Sequence, residues 1–192
     1  MNVRTFIKVD KSTFFRFVEG QDEGRYEYVK GRIMQQAGGT LKHAQIARRL
    51  VRALEDDLDP TKWIVCGSDR AVETDTTIRY PDVVVELVGA DPESHSTREP
   101  VLVIEVLSDT SEDRDLYIKP AEYMNIPSLE AYIIASQDVP TCLVWTRDDR
   151  RQFPDEPAEI TGRDALILIP ALSIEIHLDD VYRDIVRPTE QS

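Results

Sequence analysis

The 192-residue chain predicts a mixed α/β fold. Two near-continuous aliphatic runs, Asp82 to Val88 and Val101 to Leu107, have the make-up of strands covered on both faces. Between Thr40 and Leu58 the apolar period becomes helical, with Ile46, Leu50, Val51 and Leu54 on one side and Arg48, Arg49 and Arg52 on the other. Helices alternate with strands only around the centre, so the class is mixed α/β rather than regularly alternating.

From the N-terminus, Ser12 to Val18 reads as a short helix capped by Asp10 or Ser12. Gly20 to Gly24 breaks the chain. Arg25–Val29 and Arg32–Gln35 then form a hairpin turning at Lys30-Gly31, closed by Gly38-Gly39. After the helix over Thr40–Leu58 come strand candidates Trp63–Cys66, Arg70–Glu73, Asp82–Val88 and Val101–Leu107, with Gly89 to Pro100 a polar loop. A second helical stretch covers about Ser111 to Asn125, with Thr110 or Ser111 as cap and Glu112-Asp113 suited to its first turn. Ala131–Ala135 and Cys142–Trp145 are strands, Asp148–Arg151 a turn, Ala165–Leu168 and Ser173–Ile176 short strands, and Asp179–Ile185 a short helix. The whole chain, 1–192, is expected to form one domain with its core over about 10–185.

Lys and Arg number 23 against 36 Asp and Glu, a net charge of −13. That balance argues against a nucleic-acid binder with a uniformly basic surface, but it leaves room for a local basic strip. Cys66 and Cys142 are too few for a disulfide framework, and their apolar settings suit reduced, buried thiols. No signal-peptide core and no membrane-length apolar run is present, so a cytoplasmic location with no membrane partner is expected.

The chemistry-bearing residues lie on the central strands. Glu105 sits inside Val101-Leu102-Val103-Ile104-Glu105-Val106-Leu107, where an acid is costly unless paired, hydrogen-bonded or metal-bound. Asp82 opens the other aliphatic run. If the two strands are neighbours, the two carboxylates converge, and a divalent cation would relieve their repulsion. Hard oxygen donors with little His or Cys suit Mg²⁺ or Mn²⁺. Each acid could instead be satisfied by an Arg or by backbone amides. Lys119, beside Pro120, could lay its stem along the core with its ammonium reaching inward. It could equally be a solvated helix charge. Pro120 either kinks the helix or opens one that restarts there.

Tyr26-Glu27-Tyr28-Val29-Lys30-Gly31, His43 opening a helix, Pro81-Asp82, Val103-Ile104-Glu105-Val106-Leu107-Ser108, Arg114-Asp115 and Lys119 followed by Tyr123 together resemble the Uma-two endonuclease family of the restriction-endonuclease-like, PD-(D/E)XK, superfamily. Ile126-Pro127-Ser128-Leu129-Glu130-Ala131-Tyr132 is similar to that family's entry into its next core strand. The resemblance implies a central mixed β-sheet flanked by helices and a Mg²⁺- or Mn²⁺-dependent endonuclease cutting DNA by metal-activated water. In it Asp82 and Glu105 would hold the metal, and Lys119 would replace the lysine that the superfamily usually carries where Leu107 stands. Glu27 would complete the metal shell, His43 would line the site, and a homodimer is expected by analogy. Pro120 after the lysine and Asp109 after Ser108 depart from the family pattern.

Alternatives stand beside these roles. Glu27 could be an exposed strand acid pairing Lys30 or Arg32. His43 falls in the apolar sector of its helix and could be a core histidine. Arg48, Arg49 and Arg52 could contact phosphates or form a solvated face. A catalytically inactive nucleic-acid-binding or interaction module of the same fold is the second functional reading.

Overall fold

A computed structural model describes residues 8–36, 38–107, 116 and 118–185. Helix α1 (Lys11–Glu19) begins where Asp10 Oδ1 accepts the Thr13 amide at 2.7 Å, so Asp10 rather than Ser12 is its cap. Strands β1 (Arg25–Val29) and β2 (Arg32–Gln36) pair across Lys30 and Gly31, both at positive φ, the geometry a two-residue hairpin turn requires. Helix α2 (Leu41–Asp57) is capped by Thr40 and buries Ile46, Leu50 and Leu54, the predicted apolar face.

Strands β3 (Trp63–Cys66), β4 (Ala71–Glu73), β5 (Thr77–Arg79), β6 (Val83–Leu87), β7 (Ser96–Thr97) and β8 (Leu102–Leu107) follow. Helix α3 (Lys119–Tyr123) leads to β9 (Ala131–Ser136), β10 (Thr141–Thr146), β11 (Ala158–Thr161), β12 (Leu166–Ile169), β13 (Ile174–His177) and helix α4 (Leu178–Tyr182). Strands β5, β7 and β11 are additions to the sequence reading, and β7 lies in the segment expected to be loop. Of the helix expected over 111–125, residues 111–115 and 117 lie outside the described residues. The described part is a five-residue helix that starts at Lys119 with Pro120 in its first turn, where a missing N–H costs nothing.

A six-stranded mixed sheet in the order β11-β10-β9-β8-β6-β3 forms the centre, with β8 and β9 parallel and its other pairs antiparallel. The hairpin does not join it. It belongs to a second, five-stranded sheet, β2-β1-β5-β4-β7, while β12 and β13 pair separately. Alternation along β8 divides the core: Leu102, Ile104 and Val106 face α2, β13 and α4, whereas Val103 shares the opposite cluster with Val84, Tyr123, Tyr132 and Trp145. Glu105 is in phase with Val103 and therefore emerges into that second layer. Among the described residues no helix is long and apolar enough to cross a membrane. Cys142 is buried and Cys66 partly so, and both are free thiols, as expected.

Candidate active site

The site is built by register. Strands β6 and β8 are antiparallel with Val83 opposite Ile104, so one residue further out Asp82 stands opposite Glu105 and both side chains leave the same face. Asp82 Oδ2 accepts the Val106 amide at 2.7 Å, which anchors the carboxylate beside Glu105. The imidazole Nε2 of His43, in the first turn of α2, lies 3.2 Å from the same oxygen. Oδ1 of Asp82 accepts no hydrogen bond among the described residues.

Glu105 is 4% exposed and Lys119 5% exposed. Lys119 Nζ donates to Glu105 Oε1 at 2.7 Å, and the Tyr123 hydroxyl donates to the same oxygen at 3.2 Å. The helix that restarts at Lys119 puts residues 119 and 123 one turn apart on one face, so both reach one carboxylate. Burial, then the charge of Glu105, with Tyr132 and Glu27 adding to it, pushes the Tyr123 phenol well above its ordinary range and keeps it a donor.

A second network adjoins the first. In the β1–β5 ladder Tyr28 faces Ile78, so Glu27 faces Arg79. Arg79 Nη1 donates to Glu27 Oε2 at 2.7 Å, and its Nε and Nη2 grip Glu122 at 2.9 and 3.0 Å in a bidentate pair. Gln36 Nε2 donates to Glu27 Oε1 at 2.9 Å. Burial opposes the charge on Arg79, but its hydrogen bonds to Glu122 and the charges of Glu27 and Glu122 outweigh it and raise its pKa.

Glycine is required beside His43. A Cβ on Gly39 would lie 2.7 Å from His43 Nδ1, too close for any side chain, so the imidazole packs directly on the Gly39 backbone. Thr40, which caps α2, also donates to Gln137 Oε1 at 2.9 Å and ties the helix start to the end of β9.

The structure therefore pairs His43 with Asp82 and Lys119 with Glu105 on neighbouring strand positions, and Tyr123 senses both Glu105 and Glu27. Glu27 is 1% exposed, which corrects the exposed-acid alternative: the second sheet turns it inward onto Arg79. Lys119 is likewise no solvated charge. Arg48, Arg49 and Arg52 share none of these contacts. They line a separate groove of about 920 Å³ with Glu175, His177 and Arg183, where Arg49 donates to the Arg183 carbonyl and Arg52 pairs with Asp56 at 3.5 Å. Residues 108–115, including Asp109 and Arg114-Asp115, lie outside the described residues. Sequence reasoning missed Arg79, Glu122 and Gln36. The one available signal was the β-branched pair Thr77-Ile78 shortly before Pro81-Asp82, a hint of strand too short to show a period.

The donor chemistry suits a hard divalent cation. Among the described residues four carboxylates (Glu27, Asp82, Glu105, Glu122) meet two cations (Arg79, Lys119), an excess of acid. A divalent ion matches that excess. Among the described residues no group of three or more His, Cys, Asp or Glu is placed to hold a metal.

The chain is similar to an uncharacterized protein of Synechocystis, 31% identical over 137 residues that cover 68% of this chain and 70% of that one. A second Synechocystis protein, also uncharacterized, is 27% identical over 124 residues, covering 62% and 70%. Among solved structures it superposes on the crystal structure of a putative nuclease belonging to DUF820 from Anabaena variabilis. The TM-score is 0.68 at 17% identity, over 86% of this chain and 94% of that one. That likeness supports the fold. A family model described as Uma2, putative restriction endonuclease, matches residues 12–179. The match spans both sheets and every side chain of the cluster, and the chain belongs to the Uma2 family.

Proposed function

We propose that the chain is a divalent-metal-dependent endonuclease that hydrolyses DNA phosphodiester bonds at the Asp82–Glu105–Lys119 cluster. The observation that carries this is the pairing of Asp82 with Glu105 across β6 and β8, with a buried lysine 2.7 Å from the second acid. Family membership, under a model described as a restriction endonuclease, supports the same reading.

Asp82 and Glu105 are the residues that would hold Mg²⁺ or Mn²⁺. When bound, the ion supplies charge neutralisation at the phosphate and acidification of water. The chain's own residues do the rest. The Val106 amide and His43 orient Asp82, leaving Oδ1 directed to a ligand. The Lys119 ammonium, positioned by Glu105, faces the charge that develops on the phosphate oxygens during in-line attack. The Tyr123 phenol, kept protonated, holds the Glu105 carboxylate in one orientation. Arg79 keeps Glu27 and Glu122 in place behind them, so Glu27 acts through position rather than by touching substrate.

A supercoiled plasmid incubated with Mg²⁺ or Mn²⁺ tests the proposal. Wild type should nick it, and Asp82→Ala and Glu105→Ala should each lower the rate at least a hundredfold while remaining folded. Equal rates in all three sink it. A second reading, a binding module without catalysis, is favoured by the salt bridge that already neutralises Glu105. Calorimetry in which Glu105→Ala abolishes Mn²⁺ binding excludes that version.

A further inference from the structure

We propose that the N-terminus of α2 seats a phosphate of the nucleic-acid strand next to the cluster, with Gln137 as its side-chain donor. The source of that phosphate rests on the endonuclease reading, whereas its seat rests on the following geometry. Helix α2 has 17 residues, so its first turn presents N–H groups with no intrahelical acceptor and the positive end of the helix dipole. The Thr40 hydroxyl takes one of them, the His43 amide, at 3.1 Å. The amides of Leu41 and Lys42 have no acceptor among the described residues.

Gln137 is the independent observation. It follows β9 directly, is 6% exposed, and its Oε1 accepts the Thr40 hydroxyl. The two hydrogens on its Nε2 find no acceptor among the described residues. A buried amide donor is seldom left unmet, and this one shares an amide plane with the oxygen held on the helix cap. Its open donors therefore stand at the same first turn as those of Leu41 and Lys42. A Cβ on Gly38, two residues before the cap, would meet nothing within 4 Å. Converging backbone and amide donors at a helix start behind a Gly-Gly segment suit a tetrahedral anion. Lys42 Nζ, 3.1 Å from Asp138 on the rim, offsets the negative charge there. His43, next along the helix, reaches Asp82 at 3.2 Å, so a phosphate seated here neighbours the one attacked.

The test is an NMR titration of the ¹⁵N-labelled full chain in metal-free buffer, first with inorganic phosphate and then with a thymidine trinucleotide. Both should shift the Leu41 and Lys42 amides and the Gln137 side-chain amide, with the trinucleotide binding more tightly. Gln137→Leu should weaken trinucleotide binding about tenfold, the loss of one hydrogen bond to a charged acceptor. Gln137→Glu should abolish it, and Glu105→Gln should leave it in place. Absence of the three shifts, or unchanged affinity in Gln137→Leu, overturns the proposal. Shifts with inorganic phosphate alone overturn the strand seat. If wild type cuts no DNA while the trinucleotide still binds through Gln137, it is the hydrolytic reading that fails, and the phosphate seat stands.

Discussion

Replacing Arg79 by Met removes the guanidinium that joins Glu27 to Glu122. The side chains of Arg79 and Glu27 are 2% and 1% exposed and that of Glu122 13%, so water cannot take over. Three charge-assisted hydrogen bonds at 2.7–3.0 Å are lost, and two carboxylates remain without their cation. Breaking a buried ion pair from one side costs about 3–5 kcal/mol, a large share of the roughly 5–15 kcal/mol that holds a domain folded. Urea unfolding at pH 7 should therefore show a loss of about 3 kcal/mol or more for Arg79→Met. Adding Glu27→Gln should restore part of it, because the amide keeps the shape without the charge. The double mutant should thus be more stable than the single, a coupling that the two separate effects do not predict. A loss below about 1 kcal/mol, or strictly additive effects, would refute the view that this triad ties the five-stranded sheet to α3.

Two further outcomes follow from the same contacts. Gly39→Ala drives a methyl into the His43 ring and should displace the imidazole from Asp82. Gly39→Ala and His43→Ala should then slow cleavage by the same factor, and the double mutant by no more, whereas multiplying factors in single-turnover kinetics would contradict it. At alkaline pH, burial pushes the Cys142 thiol up to about 12 from its ordinary value of 9.0, with the Tyr182 hydroxyl opposing in part. The unfolded chain loses this proton first. Stability should therefore be intact below pH 9 and fall by about 1.4 kcal/mol per pH unit between 9 and 12 from this group. Cys142→Ala should flatten that limb in pH-dependent urea titrations, and an unchanged slope would contradict the assignment.

Periodicity made the central elements legible. Residues 83–86 and 102–106 are covered on both faces, and their neat aliphatic runs announce it, as do the two-sided residues of α2, whereas Leu87 at the end of the first run is exposed. Glu105 stood out because a carboxylate in such a run needs a partner, and Lys119 is that partner. What the sequence could not display is pairing between distant segments. Arg79 faces Glu27 only because β1 and β5 meet although the two residues are 52 apart in sequence, and the three residues of β5 are too few to show a period. The separation of the hairpin into its own sheet was hidden for the same reason. The short Ser96–Thr97 strand exists through its parallel pairing with β4 rather than through propensity. Pro120 looked like an interruption, but at the start of a helix it is compatible with the fold and helps aim Lys119.

The central claim is that Glu105, opposite Asp82 and gripped by Lys119, is the acid of a metal-dependent phosphodiesterase. Glu105→Gln keeps the side chain's size and its ability to accept from Lys119 and Tyr123 while removing the charge. Single-turnover cleavage of an end-labelled DNA duplex in Mn²⁺ measures that difference directly. The account predicts cleavage by wild type that stops with EDTA, and a rate at least a hundredfold lower in a folded Glu105→Gln. Cleavage at the wild-type rate by Glu105→Gln, or wild-type cleavage undiminished by EDTA, would contradict it.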